Sequence, residues 1–168
     1  MPGNDKNIMT VNTVVIIDDF LDNPDIHLDS IINSEFVDVY SEVGTFKNIQ
    51  DRTSDEVSEK VLKLFPNTNI AYNFARMSPE GQEEPNFIHN DSIMGDVTCI
   101  LYLSKDHPDE DGTTIYENDN NKKSIEFRSK FNRMIVFDSS LPHSRNIFSN
   151  FGIGKSSRLI QVIFLNKN

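Results

Sequence analysis

Four histidines hold most of the chemistry this chain can offer. Three of them stand in the same triplet, His-x-Asp, at His27-Leu28-Asp29, His89-Asn90-Asp91 and His107-Pro108-Asp109. An imidazole and a carboxylate two residues apart can share a metal ion only where the backbone turns both to one side. On a helix, positions i and i+2 point about 200° apart, and His27 falls in a helical pattern, so it reads as a helix-surface residue. His107 falls in the stretch from Ser104 to Gly112, whose Asp, Pro and Gly content reads as a solvated loop. His89 follows Phe87-Ile88 and leads into a strongly β segment. On a strand, i and i+2 share a face, so His89 and Asp91 project together. Taken alone, that pair could equally be a simple His–Asp hydrogen bond. His143, beyond the far end of the β-rich run Arg133–Phe137, supplies a second imidazole, with a loop-end histidine bonded to backbone as the alternative. Two imidazoles and one carboxylate on a β scaffold would leave positions open on a bound metal.

That ligand set, with its open positions, is the one non-heme Fe(II) oxygenases use. Downstream, Arg158 opens the apolar run Arg158–Leu165. A guanidinium at the edge of an apolar strand calls for an anionic partner, and its planar fork suits a carboxylate. A surface ion pair is the alternative, and Lys155 is the rival cation nearby.

The elements that must position these groups follow from periodicity. Thr13 to Ile17 is a β-branched run, hence a strand. Asn23-Pro24 reads as a cap followed by proline at the first helical position, opening a helix with Ile26, Leu28, Ile31, Ile32 and Phe36 on its apolar face. Thr53-x-x-Glu56 has the capping-box form and opens a second helix, with Val57, Val61, Leu62, Leu64 and Phe65 as its stripe and Pro66 as its stop. From Asn69 onward the period is two. Strands are predicted over 70–77, 87–91, 97–103, 113–117, 124–128, 133–137, 145–148 and 157–165, separated by loops rich in Gly, Pro, Asp and Asn. The expectation is a mainly β chain with N-terminal helices, a jelly roll of about eight strands with the helices packed on one sheet. The division would be a single domain over 1–168, with 1–10 frayed, 11–68 a supporting strand and helices, and 69–168 the jelly-roll core.

Composition narrows the partners. The chain has 168 residues, a formal net charge of −10, 37% hydrophobic and 25% charged residues, a size and balance that suit one globular domain. Such an acidic chain, without a basic run, argues against nucleic acid as a partner. The single cysteine, Cys99, rules out an internal disulfide and reads as a buried core residue. The polar start and short apolar runs give no signal-peptide core and no membrane span, so the expected setting is a soluble, cytoplasmic one.

Four stretches together resemble the Fe(II)/2-oxoglutarate-dependent dioxygenases, most of all their prolyl-hydroxylase-like branch. Phe87-Ile88-His89-Asn90-Asp91 resembles the His-x-Asp strand. Val97 to Ser104 resembles the strand after it, with its Tyr-Leu-Asn/Ser ending. Asp111-Gly112-Thr113-Thr114-Ile115-Tyr116 resembles the Gly-Gly-x-Thr-x-Phe turn and strand, although Asp111 replaces the first glycine. Phe131 to His143, with Ser157-Arg158-Leu159, resembles the distal histidine and the basic residue behind it. The likeness spans about residues 70–166. It implies a double-stranded β-helix in which His89, Asp91 and His143 ligate Fe(II). It also implies that Arg158 pairs with the distal carboxylate of 2-oxoglutarate, that the Tyr102 hydroxyl bonds that carboxylate, and that Thr114 lines the same pocket. O2 and 2-oxoglutarate would be cosubstrates, 2-oxoglutarate would be decarboxylated to succinate, and a peptide or protein residue or a small molecule would be hydroxylated. The interval between His143 and Arg158 is longer than the branch usually shows, which keeps Lys155 in play as the anchor. The upstream tyrosine of some relatives has no clear counterpart among Tyr72, Asn73 and Met77. Arg76 and Arg145 are candidates for an acidic substrate group, against the alternative of surface ion pairs. A differently reacting or non-catalytic cupin-like metal-binding jelly roll is the competing reading.

Overall fold

The period-two patterning resolves into antiparallel strands in two facing sheets. The computed structural model describes residues 7–85, 87–117, 122–147 and 149–168, with backbone alone at Lys123 and Ser124. In chain order the elements are β1 (Ile8–Val11), β2 (Val14–Ile17), α1 (Pro24–Ile32), β3 (Val37–Ser41), β4 (Gly44–Asp51), α2 (Glu56–Leu64), β5 (Thr68–Ser78), β6 (Val97–Tyr102), β7 (Gly112–Tyr116), β8 (Lys123–Arg128), β9 (Arg133–Asp138), β10 (His143–Arg145) and β11 (Arg158–Lys167). The larger sheet has eight strands in the order β1-β2-β9-β6-β11-β5-β4-β3, and the smaller has three in the order β10-β7-β8. This is the expected mainly β jelly roll with its helices on one sheet.

Side-chain alternation sorts the larger sheet into two faces. On one face Ala75, Cys99, Leu101, Met134, Val136 and Ile163 pack against Leu28 and Ile31 of α1 and Val57 and Val61 of α2. On the other, Ile100, Tyr102, Ile135, Phe137, Ile160 and Val162 face Ile115 and Phe127 of the smaller sheet. Each fully buried aliphatic side chain stabilises by roughly 1.5–3 kcal/mol, so the helices are held by this face rather than by propensity. Cys99 is fully buried, and burial pushes its thiol up to about 12. No helix among the described residues is long and apolar enough to cross a membrane.

Several boundaries differ from the sequence reading. Helix α1 ends at Ile32, short of Phe36, because Asn33 and Ser34 turn the chain into β3 and leave Phe36 to pack on the core from a loop. Helix α2 starts two residues after the place where Thr53 would cap it. Its N-cap is Asp55, whose carboxylate accepts from the Ser58 backbone N–H while the Ser58 hydroxyl accepts from Asp55 N–H. The β3–β4 hairpin between the helices was not expected. Every residue of β3 is exposed, so no buried face marks its alternation. It extends the larger sheet through β4 and β5, with Ile49 opposite Arg76. In the stretch expected to fray, Ile8–Val11 pairs with Val14–Ile17, while residues 1–6 lie outside the described residues. The predicted strand 87–91 is an extended segment with a single bridge, His89 to His143. The last short strand is His143–Arg145 rather than 145–148, and Phe148 is outside the described residues.

His27 corrects its reading most sharply. It is 6% exposed, not on the surface, and its Nε2 donates to Gln161 Oε1 at 2.6 Å. Gln161 in turn donates to Asp55 and Asn73. The polar group is buried because it has a partner waiting on β11.

Candidate active site

His89 and Asp91 sit on the extended segment that leads into β6, and His143 opens β10. Two reciprocal backbone bonds hold them together. His89 N–H donates to the His143 carbonyl at 3.0 Å and His143 N–H to the His89 carbonyl at 2.8 Å. Asp91 N–H donates to the Ser139 carbonyl at 2.8 Å. An extended backbone then sets His89 and Asp91 to one side without a full strand. Asp91 Oδ1 lies 3.5 Å from His89 Nε2, and Oδ2 lies 2.9 Å from His143 Nε2. One ligand atom from each of the three residues falls within 4.8 Å of the others.

The second ring nitrogens settle the tautomers. His89 Nδ1–H donates to the Phe87 carbonyl and His143 Nδ1–H to the Leu141 carbonyl, both at 2.9 Å. Each ring therefore turns Nε2 toward the shared point. Burial first, and the neighbouring His143 second, hold His89 below the usual imidazole range, which favours the neutral form a metal needs. Phe137 stands edge-on to His143 at 4.9 Å and walls the inner side, whereas His89 is partly open to solvent. This donor set fits a divalent ion of borderline character with open positions. His107 does not join it. Its Nδ1–H donates to the Pro108 carbonyl in the loop where it was expected.

Beside these three residues lies a cationic pocket between the sheets. Arg158, paired across the sheet with Ser78, turns inward with its side chain 5% exposed. Its Nε is 3.6 Å from Asp111 Oδ1 and has no hydrogen-bond acceptor, which suits an anionic ligand. Lys155 turns the other way, half exposed, and pairs with Asp29 of α1 at 2.6 Å. Of the two rival cations only Arg158 faces the pocket. The Tyr102 hydroxyl is buried there and meets Thr113 Oγ1 at 2.6 Å, and burial raises its pKa. Thr114 is out of phase by one residue. It is opposite Glu126 and Ser144, and its hydroxyl donates to Asn146 at 2.6 Å. The place expected for Thr114 beside Tyr102 is taken by Thr113.

Arg76 and Arg145 are inside the same pocket rather than on the surface. Glu84, its side chain 2% exposed, lies 2.9 Å from Arg145 Nη1 and 3.2 Å from Arg76 Nη2. Ser78 and Gln82 also donate to it. Burial pushes the Glu84 carboxyl up, but Arg76, Gln82 and Arg145 outweigh it and hold the group below its ordinary value. Burial, with Arg158 beside it, lowers Arg145 to about 9. Of the candidates for an upstream tyrosine, Tyr72 is exposed, Asn73 bonds Gln161 on the helix-facing side and Met77 packs into that core. Ser78 occupies the inward-facing end of β5. Glu84 and Thr113 escaped sequence reasoning. Glu84 is one acid among many in an irregular segment, and Thr113 differs from Thr114 only in strand phase.

The comparisons agree with this architecture. A family model described as the 2OG-Fe(II) oxygenase superfamily matches residues 72–166, more than half of the chain. No curated protein matches the sequence. Among solved structures, the fold is similar to a prolyl hydroxylase from Trichoplax adhaerens in complex with a hypoxia-inducible-factor peptide fragment. The TM-score is 0.63 at 16% identity, over 92% of this chain and 84% of that one. It is also similar to the epimerase SnoN of nogalamycin biosynthesis with Fe3+ and alpha ketoglutarate, at TM-score 0.63 and 11% identity, over 96% and 80%. HygX from Streptomyces hygroscopicus, with nickel, 2-oxoglutarate and hygromycin B, aligns at TM-score 0.59 and 8% identity, over 89% and 81%. Together with the His/Asp/His cluster, the family match makes this chain a member of the 2OG-Fe(II) oxygenase superfamily, an enzyme of the Fe(II)-dependent class that takes 2-oxoglutarate and O2 as cosubstrates.

Proposed function

We propose that this enzyme works as a single domain and hydroxylates its substrate, a peptide or protein residue as in prolyl hydroxylases or a small molecule, while 2-oxoglutarate and O2 are consumed and succinate and CO2 released. His89, Asp91 and His143 hold Fe(II). When bound, the iron supplies oxygen activation and 2-oxoglutarate the electrons it needs. The chain's own residues do the rest. The Phe87 and Leu141 carbonyls fix both imidazoles with Nε2 free. Arg158 pairs with the distal carboxylate of 2-oxoglutarate, and the Tyr102–Thr113 hydroxyl pair donates to the same group. Phe137 keeps water from the inner side of His143. The observation that carries the reading is the convergence of three ligand atoms, both histidines tied back, beside a buried guanidinium with an unused N–H.

Succinate formation from 2-oxoglutarate in the presence of Fe(II) and O2 tests it. Purified protein is expected to turn over slowly without substrate. His143→Ala is expected to lose stoichiometric iron, by metal analysis, with the circular dichroism spectrum unchanged. Neither turnover nor iron-dependent 2-oxoglutarate binding in the wild type would overturn the assignment.

A further inference from the structure

The arginines offer more N–H donors than one cosubstrate carboxylate can use. Arg76, Arg145 and Arg158 bring three guanidiniums into the pocket, against two buried carboxylates, Glu84 and Asp111. Among the described residues five guanidinium nitrogens there are buried without a hydrogen bond: Nε and Nη2 of Arg76, Nε and Nη2 of Arg145, and Nε of Arg158. Of these, Arg76 Nη2 keeps only its ion pair with Glu84 at 3.2 Å, and Arg158 Nε only that with Asp111 at 3.6 Å. Buried charged donors left unpaired are costly and point to a missing anion. A carboxylate at Arg158 accounts for one of the five. The other four belong to two side chains that converge on a single oxygen, Glu84 Oε1. Arg145 shares a strand face with His143, two residues away on β10, and Arg76 meets it at Glu84. What the pair holds therefore lies on the same side of the smaller sheet as the His143 ring. Glu84 itself is carried by residues 79–85, which belong to no strand, so it can withdraw without breaking a sheet.

We infer that Arg76 and Arg145 form a second anion site that takes a carboxylate of the oxidised substrate, and that Glu84 is a resident carboxylate seated in that place until the substrate displaces it. The charges agree. With Glu84 withdrawn, three guanidiniums face Asp111, the distal carboxylate of 2-oxoglutarate and one substrate carboxylate. A carboxylate is favoured over a phosphate because the seat already holds one, bound by the tips of the two guanidiniums and capped by Ser78 and Gln82. The assignment makes the substrate acidic, and it rests on the reading of the neighbouring site as that of Fe(II) and 2-oxoglutarate.

Calorimetry with the Zn(II)-loaded, 2-oxoglutarate-saturated protein separates the two readings, because 2-oxoglutarate binding is measured first. Acetate and inorganic phosphate are then titrated into wild type, Glu84→Ala, and Glu84→Ala carrying Arg145→Gln or Arg76→Gln. Acetate is expected to bind Glu84→Ala at least tenfold more tightly than wild type, one per chain, without displacing 2-oxoglutarate. Each arginine change is expected to abolish that binding. Acetate that competes with 2-oxoglutarate, that binds both forms alike, or that fails to bind Glu84→Ala would overturn the second site, and a preference for phosphate would overturn the carboxylate. Should Glu84→Ala fold poorly, judged by its melting curve, Glu84→Gln carries the same comparison, since it removes the competing charge and keeps the volume. Loss of 2-oxoglutarate binding by the wild type would instead count against the neighbouring site.

Discussion

Arg158 and Lys155 show how much side-chain direction decides at the scale of single residues. They are three positions apart and carry the same charge, yet one is buried among pocket groups and the other pairs with Asp29 in solvent. An exposed pair of that kind contributes little, whereas a charge-assisted bond from a buried guanidinium is worth roughly 1.5–3 kcal/mol. Arg158→Gln is therefore expected to weaken 2-oxoglutarate binding by about 10- to 100-fold with iron retained, and Lys155→Ala to leave it within about twofold. Anaerobic titration of both variants reads this directly, and equal effects would mean that the anchor lies elsewhere. The same logic separates Thr113 from Thr114. One methyl-bearing hydroxyl faces Tyr102 and its neighbour faces Asn146, because successive strand residues point to opposite sides.

At the scale of elements, Asp55 ties a helix to the sheet beneath it. Its carboxylate caps α2 through Ser58, accepts from Gln161 on β11 and pairs with Arg52. Burial raises its pKa, but those partners outweigh burial and hold the carboxyl below the ordinary aspartate value. A depressed folded-state pKa stabilises the protein above the unfolded pKa, and the benefit is lost as pH falls through the folded value. Asp55→Ala is thus expected to cost about 1–2 kcal/mol at neutral pH, with the gap from wild type closing below about pH 4 in denaturant titrations. A gap that persisted into acid would assign the effect to packing instead of charge. This helix also shows what the sequence could and could not reveal. The apolar stripe of Val57 and Val61 was legible, because burial imposes its period on residue type. The cap was misplaced by two residues, because Thr53-x-x-Glu56 and Asp55-x-x-Ser58 both offer capping geometry and only tertiary partners choose between them. The β3–β4 hairpin left no pattern because every residue of β3 is exposed among the described residues. His89, Asp91, His143 and Arg158 were legible through type and order. Glu84, Thr113 and the inward turn of Arg76 and Arg145 were not, since they depend on strand phase and on a segment without a period.

Across the whole molecule, the two sheets meet where the chemistry is expected. The chain carries a net charge of −10, yet its three inward-facing pocket arginines gather between the sheets, so an acidic exterior encloses a cationic interior suited to a dianionic cosubstrate. His143 belongs to the smaller sheet, while the segment carrying His89 and Asp91 runs directly into β6 of the larger one. A metal held by all three would tie the sheets together as well as serve the reaction. The apolar cores on both faces of the larger sheet form without it, so the metal-free protein is expected to be folded, unlike a small zinc module. Ligand linkage then adds about 2.7 kcal/mol at a hundredfold excess over Kd, and at roughly 2–4 °C per kcal/mol for a chain of this size the melting temperature should rise by roughly 5–10 °C on adding Fe(II) under anaerobic conditions. His143→Ala should keep the metal-free melting temperature within a few degrees and lose the rise. An equal rise in the variant would place the metal elsewhere on the acidic surface, and a metal-free wild type that is already unfolded would make the ion part of the fold itself.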